Sequence, residues 1–200
     1  HEECGVFGIY GNDAIKPSYA CYNGLLALQH RGQESCGIAV SDCGVIDYHK
    51  DMGLVTEVFN NKILDKLDGQ IALSHVRYST AGGSVRENSQ PRVMRYRPLC
   101  IGKINNSYCF ASESCALDAV GADFVRDVEP GEIVIVDEDG IRSDKTHCGK
   151  KKSICIFEYI YFARSDSNID GISVYESRKE AGRILARCHP VEADLVIGVP

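Results

Sequence analysis

His1-Glu2-Glu3-Cys4-Gly5-Val6-Phe7-Gly8-Ile9-Tyr10 is the stretch around which the remaining residues organise themselves. It reads as a cysteine at the mouth of a short β-strand, with Gly5 and Gly8 leaving room for other backbone or a ligand to come close. A cysteine that becomes the first residue of a chain has its own α-amine as the nearest base. That amine titrates near roughly 8 and the thiol near roughly 8.5, so neutral amine is present to help form the thiolate. Two readings stand side by side. Either His1-Glu2-Glu3 is a leader awaiting removal, or Cys4 has no such amine and is a small thiol buried at the start of a strand.

Working outward, the 200 residues suffice for one sizeable core, or for a core and the beginning of another. Apolar residues make up 44% and charged residues 25%, the balance of an ordinary globular protein. The net charge of −6 and pI near 5.5 argue against a nucleic-acid-binding surface, and the longest basic run is Lys150-Lys151-Lys152, read as a solvated loop. No apolar run approaches membrane-spanning length and the opening residues do not resemble a signal peptide, so no membrane partner and a cytoplasmic location are expected. The ten cysteines include no Cys-x-x-Cys pair. With no secretory signal, a reduced set is expected, several of them acting as small hydrophobes.

After the first strand, Pro17-Ser18 opens a helix expected to reach about His30. Cys21, Leu25 and Leu28 at i, i+4 and i+7 form its apolar face, and Gly32 is expected as a left-handed cap. Strands at 37–40 and 45–50 make a hairpin, 53–67 is helical in part, and an apolar strand spans 70–78. Short strands and turns fill 99–140, interrupted by a helix at 114–120. Beyond Ser153 come an aromatic run, a polar loop, a helix near 174–187 and a last strand at 194–199. That strand has the composition of a buried parallel one.

Two arginines ask for an explanation. Arg31 stands at a helix end and Arg77 where an apolar strand gives way to a loop. At such a place a guanidinium grips a carboxylate through two parallel hydrogen bonds, with Thr80 three residues on as a third donor, an arrangement suited to an amino-acid substrate. The alternative is that each arginine pairs locally, with Glu34 or Glu87.

Taken together, Cys4-Gly5-Val6-Phe7-Gly8, Leu28-Gln29-His30-Arg31-Gly32-Gln33-Glu34-Ser35, residues 50–59 and His75-Val76-Arg77-Tyr78-Ser79-Thr80 closely resemble the glutaminase domain of the glutamine amidophosphoribosyltransferases. These are class II amidotransferases with an N-terminal cysteine. The resemblance continues through Arg97-Pro98-Leu99-Cys100-Ile101-Gly102, Ala111-Ser112-Glu113-Ser114-Cys115-Ala116, Val128-Glu129-Pro130-Gly131-Glu132, Ser153-Ile154-Cys155, Glu158-Tyr159-Ile160-Tyr161-Phe162-Ala163-Arg164, Ser167-Asn168-Ile169-Asp170-Gly171 and Gly198-Val199-Pro200. The blocks after Arg97 distinguish this family from class II members with other acceptors.

The resemblance implies an α+β fold, the four-layer αββα sandwich of N-terminal-nucleophile hydrolases, in incomplete form. It implies a glutaminase domain over 1–152, and an interdomain segment leading into the first strand of a phosphoribosyltransferase domain over 153–200. It makes Cys4 the nucleophile, Arg77 and Thr80 the holders of the glutamine α-carboxylate, and Arg31 and Gly32 part of the pocket wall. Cys155 matches a [4Fe–4S] ligand of the cluster-containing branch, whose other ligands this chain does not carry. The family's substrates are glutamine and phosphoribosyl pyrophosphate, the latter with Mg2+ in the domain that follows, and its members are homo-oligomers. Near 92–97 the family's long central stretch, with an Asn-Gly oxyanion hole and an amino-binding aspartate, is replaced by Arg92-Val93-Met94-Arg95-Tyr96. The strand at 70–78 is therefore expected to lose a neighbour and lie at a sheet edge. A non-catalytic fragment, or the glutaminase of another class II amidotransferase, is the alternative.

Overall fold

Alternation in the first strand sends Phe7 and Ile9 to one side, and both are fully buried there; the sheet grows outward from this strand. The structure, a computed structural model, describes residues 4–11, 15–78, 98–149 and 154–198. Strand β1 (Gly5–Tyr10) runs antiparallel to β4 (Ile71–Arg77) on one side and to β6 (Ser107–Ala111) on the other. With β2 (Ser35–Asp42), β3 (Val45–Met52), β5 (Cys100–Ile104) and β7 (Asp123–Asp127), these form a seven-stranded antiparallel sheet in the order β3-β2-β4-β1-β6-β5-β7. Strand β4 is thus central, paired with both β1 and β2. The expected sheet edge at 70–78 does not occur, because β2, brought in by its hairpin with β3, covers that side.

Helix α1 (Pro17–Ala27) opens with proline at its first position, where the missing N–H costs no hydrogen bond. Its predicted face holds: Cys21, Leu25 and Leu28 are completely buried against the sheet. The helix ends earlier than expected, passing into a 3-10 turn over Gln29–Arg31. Short helices α2 (Val55–Val58) and α3 (Asn61–Lys66) and helix α4 (Ser114–Val120) complete the layer on this face, α3 capped by the Asn60 side chain accepting from the Ile63 N–H at 3.1 Å.

Beyond the sheet, hairpin β8 (Ile133–Asp137) and β9 (Gly140–Asp144) is tied to β7 by Arg126, whose guanidinium reaches Glu132 and Ser143. A π-helical turn, Glu158–Phe162, the small pair β10 (Asn168–Ile169) and β11 (Ile172–Ser173), and helix α5 (Val174–Cys188) follow. Ala163, Ile169 and Val174 form a second small core. The strand expected at 194–199 is absent over the described part, 194–198, where Leu195, Val196 and Ile197 are exposed. A parallel strand exists only beside a partner, and no described strand runs alongside it. The expected junction near 92–97 and the boundary at 152/153 lie outside the described residues.

Candidate active site

The register of the sheet decides which side chains share a face. Gly5 pairs with Val76 and Ser35 with Arg77, so one step before Gly5 the register brings Cys4 opposite Arg77. Cys4, immediately ahead of β1, therefore continues the row of Arg77 in β4 and Ser35 in β2 on the face away from the helices. The next row is Val6, His75 and Gly37, followed by Gly8, Leu73, Ala39 and Tyr48. This face is polar at the Cys4 end and apolar at the other.

Loop 28–35 is folded tightly against that polar end. Gln29 spans it, its amide N–H donating to the Gly32 carbonyl at 2.6 Å and its side-chain oxygen accepting from the Val55 N–H at 2.8 Å. The Glu34 N–H donates to the Arg77 carbonyl at 3.1 Å. Gly32 is not the expected left-handed cap: its φ of −168° is extended. Glycine is needed for a different reason, since a Cβ there would lie 2.6 Å from the backbone N and C of Arg77. Gly5 is similarly confined, a Cβ meeting Val76 at 2.9 Å.

Arg31 does not pair with Glu34. Its guanidinium is 1% exposed and held by two carboxylates: Nη1 donates to Glu113 at 2.6 Å and to Glu158 at 2.8 Å, and Nη2 to Glu158 at 2.8 Å. Burial draws its pKa down, but hydrogen bonding to Glu158 and the charges of Glu158 and Glu113 outweigh burial and raise it, so it is a fixed cation. Glu113 is pushed up by burial and lowered further by the His30 hydrogen bond and by Arg31, ending at about 2. The Arg31 guanidinium is thus occupied by Glu113 and Glu158. The sequence reading missed Glu113 and Glu158; the available signal was an acid set among small or aromatic residues, Ser112-Glu113-Ser114 and Phe157-Glu158-Tyr159.

Around Arg77, Ser35 Oγ, His75 Nε2 and both carboxylate oxygens of Glu34 are buried without a hydrogen-bond partner. Burial, with the charge of Arg77 second, lowers His75 to about 4 and keeps its ring neutral. Cys4 is partly exposed. By contrast burial pushes Cys21, Cys36, Cys109 and Cys115 up to about 12 and Cys100 upward as well, so these thiols behave as small apolar groups. A cavity of about 640 Å3 opens beside the site, lined by His30, Gln33, Tyr78, Phe162, Arg164 and Arg178 among others. Thr80 and Glu87 lie outside the described residues. Cys155 is exposed, and among the described residues no group of three or more His, Cys, Asp or Glu side chains could hold a metal ion.

An antiparallel sheet with a cysteine at the mouth of its middle strand, helices on one face and a row of buried polar side chains on the other belongs to the N-terminal-nucleophile hydrolase fold. Solved structures that share it include the following two. One, described as the allosteric regulatory enzyme of purine biosynthesis, has a TM-score of 0.88 and 35% identity over 96% of this chain and 59% of its own. The other is glutamine phosphoribosylpyrophosphate amidotransferase from Bacillus subtilis complexed with ADP and GMP, with a TM-score of 0.86 and 34% identity over 96% of this chain and 60% of its own.

The chain belongs to the amidophosphoribosyltransferase family. The amidophosphoribosyltransferase of Bacillus subtilis is 36% identical over 286 residues, covering all of this chain and 60% of the relative. That of Methanocaldococcus jannaschii is 34% identical over 299 residues, covering 98% of this chain and 64% of the relative. The chain therefore spans about 60% of the length of these relatives. A matched span of 286 residues against a chain of 200 means that the relative carries roughly 86 further positions without a counterpart here. No family model matches the chain.

Proposed function

We propose that this chain is the glutamine-hydrolysing half of an amidophosphoribosyltransferase, with Cys4 as nucleophile. The observation that carries the reading is the row formed by Cys4, Arg77 and Ser35 on one face of the sheet, with Gly32 packed on the Arg77 backbone. The unused hydrogen-bonding capacity of Glu34, Ser35 and His75 around that row supports a polar ligand there.

In this reading Arg77 and Thr80 grip the α-carboxylate of glutamine, which fixes its γ-amide beside the sulfur. The Cys4 thiolate attacks the amide carbonyl, a C–S bond forms and the carbonyl electron pair moves to oxygen. Collapse of that adduct breaks the C–N bond; the nitrogen takes up a proton and leaves as ammonia, and a γ-glutamyl thioester remains. Water then cleaves the thioester, giving glutamate and free Cys4. In the complete protein, ammonia and phosphoribosyl pyrophosphate give phosphoribosylamine and pyrophosphate in a following Mg2+-dependent domain, and residues 153–200 are the approach to that domain. A [4Fe–4S] cluster and a homo-oligomer belong to the same proposal for the complete protein, as does a cytoplasmic setting.

A second reading, a non-catalytic fragment, is favoured by the roughly 86 positions that the Bacillus subtilis relative carries and this chain does not. Treatment of the purified chain with the diazo-ketone analogue of glutamine, followed by peptide mass spectrometry, separates the two. Stoichiometric adduct on Cys4, blocked by glutamine and lost in Arg77→Ala, is the expected result. No adduct, or label scattered over the exposed thiols Cys43, Cys155 and Cys188, establishes the fragment instead.

A further inference from the structure

The Arg31 cluster does more than fill the interior. Arg31 Nε points at the Cys4 carbonyl oxygen at 3.4 Å, while its other end is gripped by Glu158, 127 positions away in sequence. The side chains of Arg31, Glu113 and Glu158 are 1%, 0% and 2% exposed. Glu113 is fully used: Oε1 accepts from Arg31 and from His30 Nε2, and Oε2 from the Arg164 N–H at 2.8 Å and the Ser167 hydroxyl at 2.7 Å. Its neighbour Ser112 clamps β1, the strand that Cys4 leads into, its hydroxyl accepting from the Val6 N–H and its own N–H donating to the Val6 carbonyl.

A buried cluster of two carboxylates and a guanidinium is costly to desolvate, and apolar side chains of equal volume stabilise a fold as well or better. What the charges add is direction. The two carboxylates fix the guanidinium plane, and that plane fixes where Nε meets Cys4.

We infer that Glu158 and Glu113 are positioning residues for Cys4, acting through Arg31. The peptide carrying the nucleophile is oriented from the π-helical turn at Glu158–Phe162, so the segment beyond the glutaminase core and the glutamine site are joined by one buried cation. The inference rests on Cys4 being the nucleophile. Its mechanical part, that Glu158 holds the Cys4 end of β1, stands on geometry alone.

The test uses the whole chain as Glu158→Gln and Glu158→Asp. Gln keeps the size and loses the charge; Asp keeps the charge on a shorter stem, and it carries the test should the Gln variant fail to fold. Two quantities are measured: the rate of Cys4 labelling by the diazo-ketone analogue, and backbone hydrogen exchange of peptides covering Gly5–Tyr10 and Glu158–Phe162. The expected result is a labelling rate lower by roughly tenfold to a hundredfold, with exchange rising in both peptides together. Unchanged labelling, with exchange rising only around Glu158–Phe162, overturns the inference. If the wild-type chain does not label at Cys4, the glutaminase reading fails separately, and exchange alone decides: a joint rise upholds the positioning role, a local rise overturns it.

Discussion

His75 is the residue whose state the fold most clearly dictates. Its neutral ring lies in the row next to Cys4 and Arg77, and burial and the Arg77 charge lower its pKa from 6.5 to about 4. In the unfolded chain the imidazole takes up a proton near 6.5, whereas in the native protein it does so only near 4. The stability this brings is complete above about pH 6.5 and is lost as pH falls towards 4, ~3 kcal/mol in all. Urea unfolding should therefore give a lower stability at pH 5 than at pH 7, and His75→Asn should flatten that difference. Glu113 runs in the same direction in a lower window, its contribution complete above about 4.5 and lost towards about 2, so the two residues separate by pH. Neither effect was legible in the sequence. A histidine in His75-Val76-Arg77 is unremarkable until sheet pairing removes its water, and Glu113 meets Arg31 only after folding closes 82 positions of chain.

Among the elements, the joint between loop 28–35 and β4 carries the site. Gly32→Ala places a methyl carbon where the backbone of Arg77 already lies 2.6 Å away, and backbone cannot step aside as a flexible side chain can. The expected cost is about 1–3 kcal/mol in thermal or urea unfolding, together with slower labelling of Cys4, because Arg77 is displaced along with its strand. A variant with normal labelling and normal stability would remove Gly32 from the site. Local pattern identified the elements here well: the 3.6-residue spacing of Cys21, Leu25 and Leu28 gave the buried face of α1, and the turn between Val40 and Val45 gave the β2–β3 hairpin. It misjudged Gly32, since a glycine after a helix signals a left-handed cap unless another strand presses on it.

Across the whole molecule the sheet has two unlike faces, and their energetics should differ accordingly. On the helix side Phe7 is fully buried, and Phe7→Ala should cost about 3–5 kcal/mol. On the opposite side Ile46 and Tyr48 are 67% and 62% exposed, and Ile46→Lys or Tyr48→Lys should stay within about 0.5 kcal/mol, which denaturant titration of the variants checks. A large loss at Ile46 would mean that this face is covered in solution. The sequence by itself determined the elements, the apolar side of α1, the family blocks and, through them, Cys4 and Arg77 as a pair to look for. These follow from short-range spacing and residue chemistry, which act along the chain. Only the tertiary structure decided that β4 is central, that Cys4 and Arg77 stand opposite each other, that residues 194–198 form no strand, and that Arg31 serves Glu113 and Glu158. Each depends on which distant segments exclude water from one another, and that is settled by packing in three dimensions.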